Sequence, residues 1–95
     1  ADVPVAVADV QPGEREAYQS AYGLVRERQF EAAVDAFNTF LASYPFGRFA
    51  PNAHYWLGEL YLVIEPVDPE SARQNFQLLL YNQQSRPVKY HFGIL

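Results

Sequence analysis

One six-residue pattern occurs twice in this chain. Tyr55-Trp56-Leu57-Gly58-Glu59-Leu60 is answered 35 positions later by Tyr90-His91-Phe92-Gly93-Ile94-Leu95, with the tyrosine, a large apolar residue, the glycine and the leucine in the same order. A second pair, Ala33 and Phe37, recurs 39 positions later as Ala72 and Phe76. Self-similarity with a period in the mid-thirties belongs to helical repeat arrays, in which each hairpin buries its apolar face only by stacking on the next. Such arrays bind other chains far more often than they do chemistry. The period therefore bears on function as well as fold.

The apolar pattern places the helices. Ala17, Tyr18, Ala21, Leu24 and Val25 share one face of a helix that begins near Glu14. Glu14 and Glu16 in its first turn, with Arg26 and Arg28 at its end, suit the helix dipole. A turn at Gln29 leads to a second helix over about 30–44, with Ala33, Ala36, Phe37, Phe40, Leu41 and Tyr44 inward, ended by Pro45 and Gly47. Pro51 fits the first turn of a third helix, whose buried face is Ala53, Trp56, Leu57, Leu60, Tyr61 and Ile64. Glu65-Pro66-Val67-Asp68 breaks it. Asp68-Pro69-Glu70 opens a fourth, with Asp68 as N-cap and Ala72, Phe76, Leu79 and Leu80 inward. Ser85-Arg86-Pro87 predicts one more start. The expectation is all-α: helix hairpins stacked in a right-handed solenoid, two full repeats (about 14–47 and 48–85) and the first helix of a third (about 86–95). Residues 1–13, with Pro4, Pro12 and Gly13 among small and β-branched residues, read as a flexible linker.

Small residues mark the helix crossings. Ala21, Gly58 and Gly93 share one place in the repeat, and Ala33 and Ala72 share the matching place on the second helices. A glycine inside a helix costs roughly 1 kcal/mol against alanine. Close approach of a neighbouring helix would offset that. Ser20 is expected to be a small packing residue of the same kind.

Composition excludes several classes. The chain has 95 residues, a net charge of −4 and no cysteine, so it has no disulfide framework, thiolate metal site or cysteine nucleophile. Its seven basic residues are scattered and form no phosphate-tracking stripe, so nucleic acid is not an expected partner. No apolar run approaches the roughly 20 residues that span a bilayer, and no signal peptide is visible. A chain that starts at Ala1 and contains no methionine is expected to be a processed product or a piece of something longer. His54 and His91 lack a partner at metal-binding spacing, and His54 is read as a packed histidine. The carboxylates suit helix starts and solvated faces, and no serine sits in a nucleophile elbow. No catalytic residue, metal site or cofactor is expected, and the chain is not expected to be an enzyme.

The positions Leu57, Gly58 and Tyr61, with Phe30, Ala33, Phe37 and Pro45, resemble the tetratricopeptide repeat (TPR). A narrower match lies in Ala33, Phe37, Phe40, Leu41 and Tyr44-Pro45, then Ala50-Pro51-Asn52-Ala53, then Tyr55-Trp56-Leu57-Gly58-Glu59. This stretch resembles the C-terminal TPR domain of the Tol–Pal-associated YbgF/CpoB family. The resemblance implies a periplasmic protein of a Gram-negative bacterium that binds TolA. It also implies a role in coordinating peptidoglycan synthesis with envelope constriction at division, with a peptidoglycan synthase as a further possible partner. The outer-membrane assembly lipoproteins of the BamD type share part of the pattern and remain an alternative, as does a self-assembling TPR scaffold.

Within a TPR stack the first helices line the groove. The repeat alignment puts Tyr18, Tyr55 and Tyr90 at one groove-facing position, Tyr22 and Glu59 one turn further, and Arg15 and Asn52 one turn earlier. Tyrosine offers a broad apolar face with a hydrogen-bonding tip, and Asn52 could bond a peptide backbone. Tyr18, Tyr22, Asn52, Tyr55, Glu59 and Tyr90 are therefore the candidate partner-binding groove. The bland alternative is that some of these tyrosines merely pack between adjacent helices. Trp56 is expected to face the core.

Overall fold

The apolar stripes read above fold into four helices: α1 (Glu14–Arg26), α2 (Phe30–Ser43), α3 (Ala50–Val63) and α4 (Pro69–Gln84). The computed structural model describes residues 9–84, and the described residues contain no strand. Each helix packs on the one before it, and the connections are short enough to make successive helices antiparallel neighbours. The architecture is all-α. The segment expected to open a third repeat, including Tyr90 and Gly93, lies outside the described residues, as do residues 1–8 of the expected linker.

The core joins three helices. Ala21 and Val25 of α1, Ala33, Val34, Phe37 and Phe40 of α2, and Ala53, Trp56, Leu57 and Leu60 of α3 form one buried cluster. The small residues sit where the crossings are tight: Ala21, Ala33, Gly58 and Ala72 are all buried. At Gly58 the reason is visible. A Cβ there would lie within 2.7 Å of three ring atoms of Phe76 on α4. The absent side chain is what admits that ring.

Two expected core positions are corrected. Leu80 is 58% exposed. Ala72 and Leu79 define the buried stripe of α4 with Phe76 half-buried beside them, and Leu80 stands about 100° further round the helix than Leu79. Ser20 is exposed rather than packed; Ala21, its neighbour, occupies the crossing.

Helix ends follow local chemistry. Asp68 caps α4: its Oδ1 accepts from the Ser71 N–H at 3.1 Å and its Oδ2 from the Ser71 hydroxyl at 2.8 Å. The C-terminus of α1 closes as a Schellman motif, with the Arg28 N–H donating to the Val25 carbonyl and the Gln29 N–H to the Leu24 carbonyl, both at 2.9 Å. The left-handed position of that motif is usually glycine. Here it is Arg28, at φ 63°, a conformation that costs about 1 kcal/mol for a residue bearing a Cβ.

The least expected feature is Glu14, which is completely buried. Its Oε1 accepts from the Gln11 N–H and its Oε2 from the Phe49 N–H, each at 2.8 Å. One carboxylate thus ties the start of α1 to the loop that precedes α3. Gly47 packs against that carboxylate so closely that no Cβ fits. The Tyr44 hydroxyl donates to the Pro12 carbonyl at 2.9 Å. Gln11, Pro12 and Gly13, the end of the expected linker, are therefore tethered to the helices.

Candidate functional site

Aromatic residues dominate where α1 meets α3, with Tyr18 and Tyr22 of α1 both in contact with Trp56 of α3. Five ring contacts run in series from the loop before α3 to α4. Phe49 stacks on Tyr18 at 5.0 Å between centroids, Tyr18 on Tyr22 at 6.3 Å, and Tyr22 meets Trp56 at 5.4 Å. Trp56 meets Tyr55 edge-on at 5.2 Å, and Tyr55 meets Phe76 at 6.2 Å. Offset and edge-on pairs of this kind each add about 0.5–1.5 kcal/mol beyond the area they bury. The seam is stiff, and it joins α1, α3 and α4.

Polar groups are fixed along it. The indole N–H of Trp56 donates to the Tyr18 hydroxyl at 3.0 Å. Burial raises the Tyr18 hydroxyl above the ordinary phenol range, while hydrogen bonds from Trp56 and Asn52 offset part of the rise. Tyr18 stays a neutral phenol at physiological pH. The Tyr55 hydroxyl is raised too, first by burial and then by the neighbouring Glu59 carboxylate, to which it hydrogen bonds. Asn52 is half-buried, and its Oδ1 is shielded from water with no hydrogen-bond partner among the described residues. An unpaired buried acceptor costs about 1–3 kcal/mol. A donor brought by a ligand would recover it once the Asn52 side chain turns outward.

Of the six groove candidates, five lie in the described residues. Tyr18, Tyr22, Asn52 and Tyr55 are brought together along the seam, with Glu59 attached through Tyr55; all five are half-buried. Tyr90 lies outside the described residues. Tyr18 is committed on nearly every side, since it also contacts Phe37 and Phe40, each at 5.9 Å. Trp56, expected to be core, is 6% exposed, yet its N–H orients Tyr18. Sequence reasoning gave Phe49 and Phe76 no part in the seam. Their signal was only that both are aromatic and flank a helix carrying the Tyr-Trp pair.

His54 is half-buried between α3 and α4. Its Nδ1 lies 2.9 Å from the Asn75 Oδ1, and the Asn75 amide nitrogen in turn donates to the Ser71 carbonyl at 3.0 Å. That second bond fixes Asn75 as the acceptor and His54 Nδ1 as the donor. Burial lowers the His54 pKa, with Asn75 opposing the shift. The packed-histidine reading therefore describes this residue well. Among the described residues there is no group of three or more side chains suited to hold a metal ion, and no helix is long and apolar enough to cross a membrane.

Comparison with known proteins gives a consistent family. The chain is 45% identical over 56 residues to the cell division coordinator CpoB of Pseudomonas putida, a match covering 55% of this chain and 21% of that protein. It is 47% identical over 45 residues to the cell division coordinator CpoB of Escherichia coli K12, covering 45% of this chain and 17% of that one. The chain thus spans about a fifth of the length of the curated relatives it matches. No family model matches it. No solved structure matches it either.

Proposed function

From a chain that belongs to the CpoB (YbgF) family, we propose a non-catalytic protein-interaction module of a periplasmic cell-division protein. Its four helices are two TPR hairpins of a right-handed solenoid, and its partner is TolA. The name of its relatives, cell division coordinator, supports the division role. Binding TolA would link this chain to the machinery that couples peptidoglycan synthesis to envelope constriction.

The observation that carries the reading is the Asn52 amide at the aromatic seam. Its oxygen is buried, unpartnered and bordered by Tyr18, whose hydroxyl already takes hydrogen bonds from Trp56 and from Asn52 itself. A turn of the half-buried Asn52 side chain would bring that oxygen out to a backbone N–H of an extended partner segment, while Tyr22 and Tyr55 supply the adjoining apolar surface and Glu59 a charged edge. A stiff site of this sort loses little side-chain entropy on binding.

Calorimetric titration of TolA into the wild-type chain, Asn52→Ala and Tyr55→Phe tests this. Asn52→Ala is expected to weaken binding about tenfold, the value of one buried hydrogen bond. Tyr55→Phe keeps the ring contacts and loses only the link to Glu59. Thermal melts establish that both variants remain folded. Equal affinity for all three proteins would refute the groove assignment.

One observation favours a second reading, self-assembly. Leu62 (45%), Val63 (53%) and Val67 (45%) around the α3–α4 turn, and Leu80 (58%) and Tyr81 (67%) further along α4, are exposed on the last hairpin of the described residues, and uncovered apolar ends of repeat arrays associate. Sedimentation at high concentration tests it: a strict monomer removes this reading and leaves the first untouched.

A further inference from the structure

An open hollow of about 400 Å³ lies where α1 turns into α2, lined by Tyr22, Val25, Arg26, Arg28 and Phe30. Its floor is apolar, from Val25 and two aromatic rings, and its rim carries two guanidinium groups. Neither arginine has an ion-pair partner among the described residues. Arg28 lies over the Phe30 ring, its guanidinium carbon 5.8 Å from the centroid, and Arg26 also borders an adjoining hollow with Gly23 and Glu27.

The helix dipole favours a cation at this end of α1, but it does not favour the backbone conformation that Arg28 adopts. It occupies the left-handed position of the Schellman motif, where glycine is the unstrained choice. That backbone carries a side chain long enough to lie along the hollow's rim, over the Phe30 ring. The chain as a whole carries a charge of −4, so this paired positive rim stands out against an acidic background.

We propose that this hollow is a docking site for an acidic segment of a partner protein, in which an apolar side chain fills the Tyr22–Val25–Phe30 floor and neighbouring carboxylates pair with Arg26 and Arg28. Guanidinium matches carboxylate in planar, forked geometry. Two cations fit a short run of carboxylates. A short segment touches only this rim, whereas a long polyanion or an anionic lipid surface would also face the acidic remainder of the chain, whose net charge is −4. The inference rests on the reading of this chain as a partner-binding module and names a second contact on it, one that Tyr22 joins to the aromatic seam.

The test uses a fluorescein-labelled Asp-Asp-Phe-Glu-Asp peptide. Its affinity for wild type, Arg26→Gln, Arg28→Gly and the double variant is measured by polarisation, and amide NMR shifts locate it. Saturable binding is expected, with shifts at Tyr22, Val25 and Phe30. Each single variant should lose about three- to fivefold in affinity, as for an exposed ion pair, and the double variant about tenfold or more. Affinity should fall as salt rises. Arg28→Gly should melt at the same temperature as wild type or higher, because glycine relieves the backbone. That separates lost binding from lost fold. A peptide with Asn and Gln in place of its acids should not bind. The proposal is overturned if the acidic peptide fails to bind at millimolar concentration, if the neutral peptide binds equally well, if the arginine variants bind like wild type, or if phosphatidylglycerol vesicles or a single-stranded oligonucleotide occupy the site and the peptide does not. Failure here with TolA still bound through Asn52 leaves the module reading standing.

Discussion

Replacing Glu14 by glutamine removes one charge and leaves the shape. In the wild type each carboxylate oxygen accepts from a backbone N–H at 2.8 Å, and the side chain has no exposed surface. Glutamine keeps one acceptor and turns an N–H₂ toward the other donor. A hydrogen bond to a charged group contributes about 1.5–3 kcal/mol, and the orphaned N–H would be left unpaired. The favourable place of an anion at a helix N-terminus adds about 0.3–1 kcal/mol. Burying a neutral amide instead of an ion recovers part of the loss, because the desolvation penalty falls. The net expectation is about 2 kcal/mol of destabilisation, or about 8–16 °C in melting temperature for a domain of this size. Glu16 supplies the control. It sits in the same first turn but is exposed, so Glu16→Gln loses only the dipole contribution, within about 0.5 kcal/mol. Urea unfolding followed by fluorescence of Trp56, the single tryptophan, measures both. A Glu14→Gln midpoint that matches Glu16→Gln would refute the reasoning that this carboxylate ties the α3 loop to α1.

Two further perturbations follow from the packing. Gly58→Ala gains about 1 kcal/mol of helix propensity but drives a methyl into the Phe76 ring, an overpacking cost of about 1–3 kcal/mol; the variant is expected to be less stable by about 1 kcal/mol, while the same change made in a Phe76→Ala background should stabilise, and a double-mutant cycle on urea midpoints reads the coupling. His54 has a folded pKa below its unfolded value of about 6.5, so the unfolded chain binds the extra proton first: stability is full above that value and declines as pH falls below it toward the folded pKa, and His54→Gln should flatten that slope between pH 7 and 5 in thermal melts.

The helices were legible because their signals are local. The Asp68-Pro69 start, the Pro45-Gly47 stop and the apolar faces each reside within a few consecutive residues, and the observed bounds agree with them to within two residues; α1 ends at Arg26 and leaves Arg28, expected in its last turn, in the turn that follows. The repeat also pointed to Ala21, Gly58, Ala33 and Ala72 as crossing positions, since a side chain kept small at a recurring interior place leaves space that a neighbouring helix fills. Glu14 was not legible. A carboxylate in a first turn has a sufficient local reason in the helix dipole, and nothing near it announces an N–H donor 35 residues away at Phe49. Leu80 misled for a related reason: a run of three leucines wraps around more of a helix than one neighbour covers. The candidate groove was half legible. Periodicity set the tyrosines on one face, but the ring order that links Phe49 to Phe76 through Tyr18, Tyr22, Trp56 and Tyr55 is tertiary. So is the loss of the Asn52 oxygen from water.

The most direct trial of the central claim is an amide NMR titration of the isotope-labelled chain with TolA. The account predicts saturable shifts concentrated at Tyr22, Asn52, Tyr55 and Glu59, with the outer faces of α2 and α4 unmoved. No binding, or shifts confined to those outer faces, would contradict it.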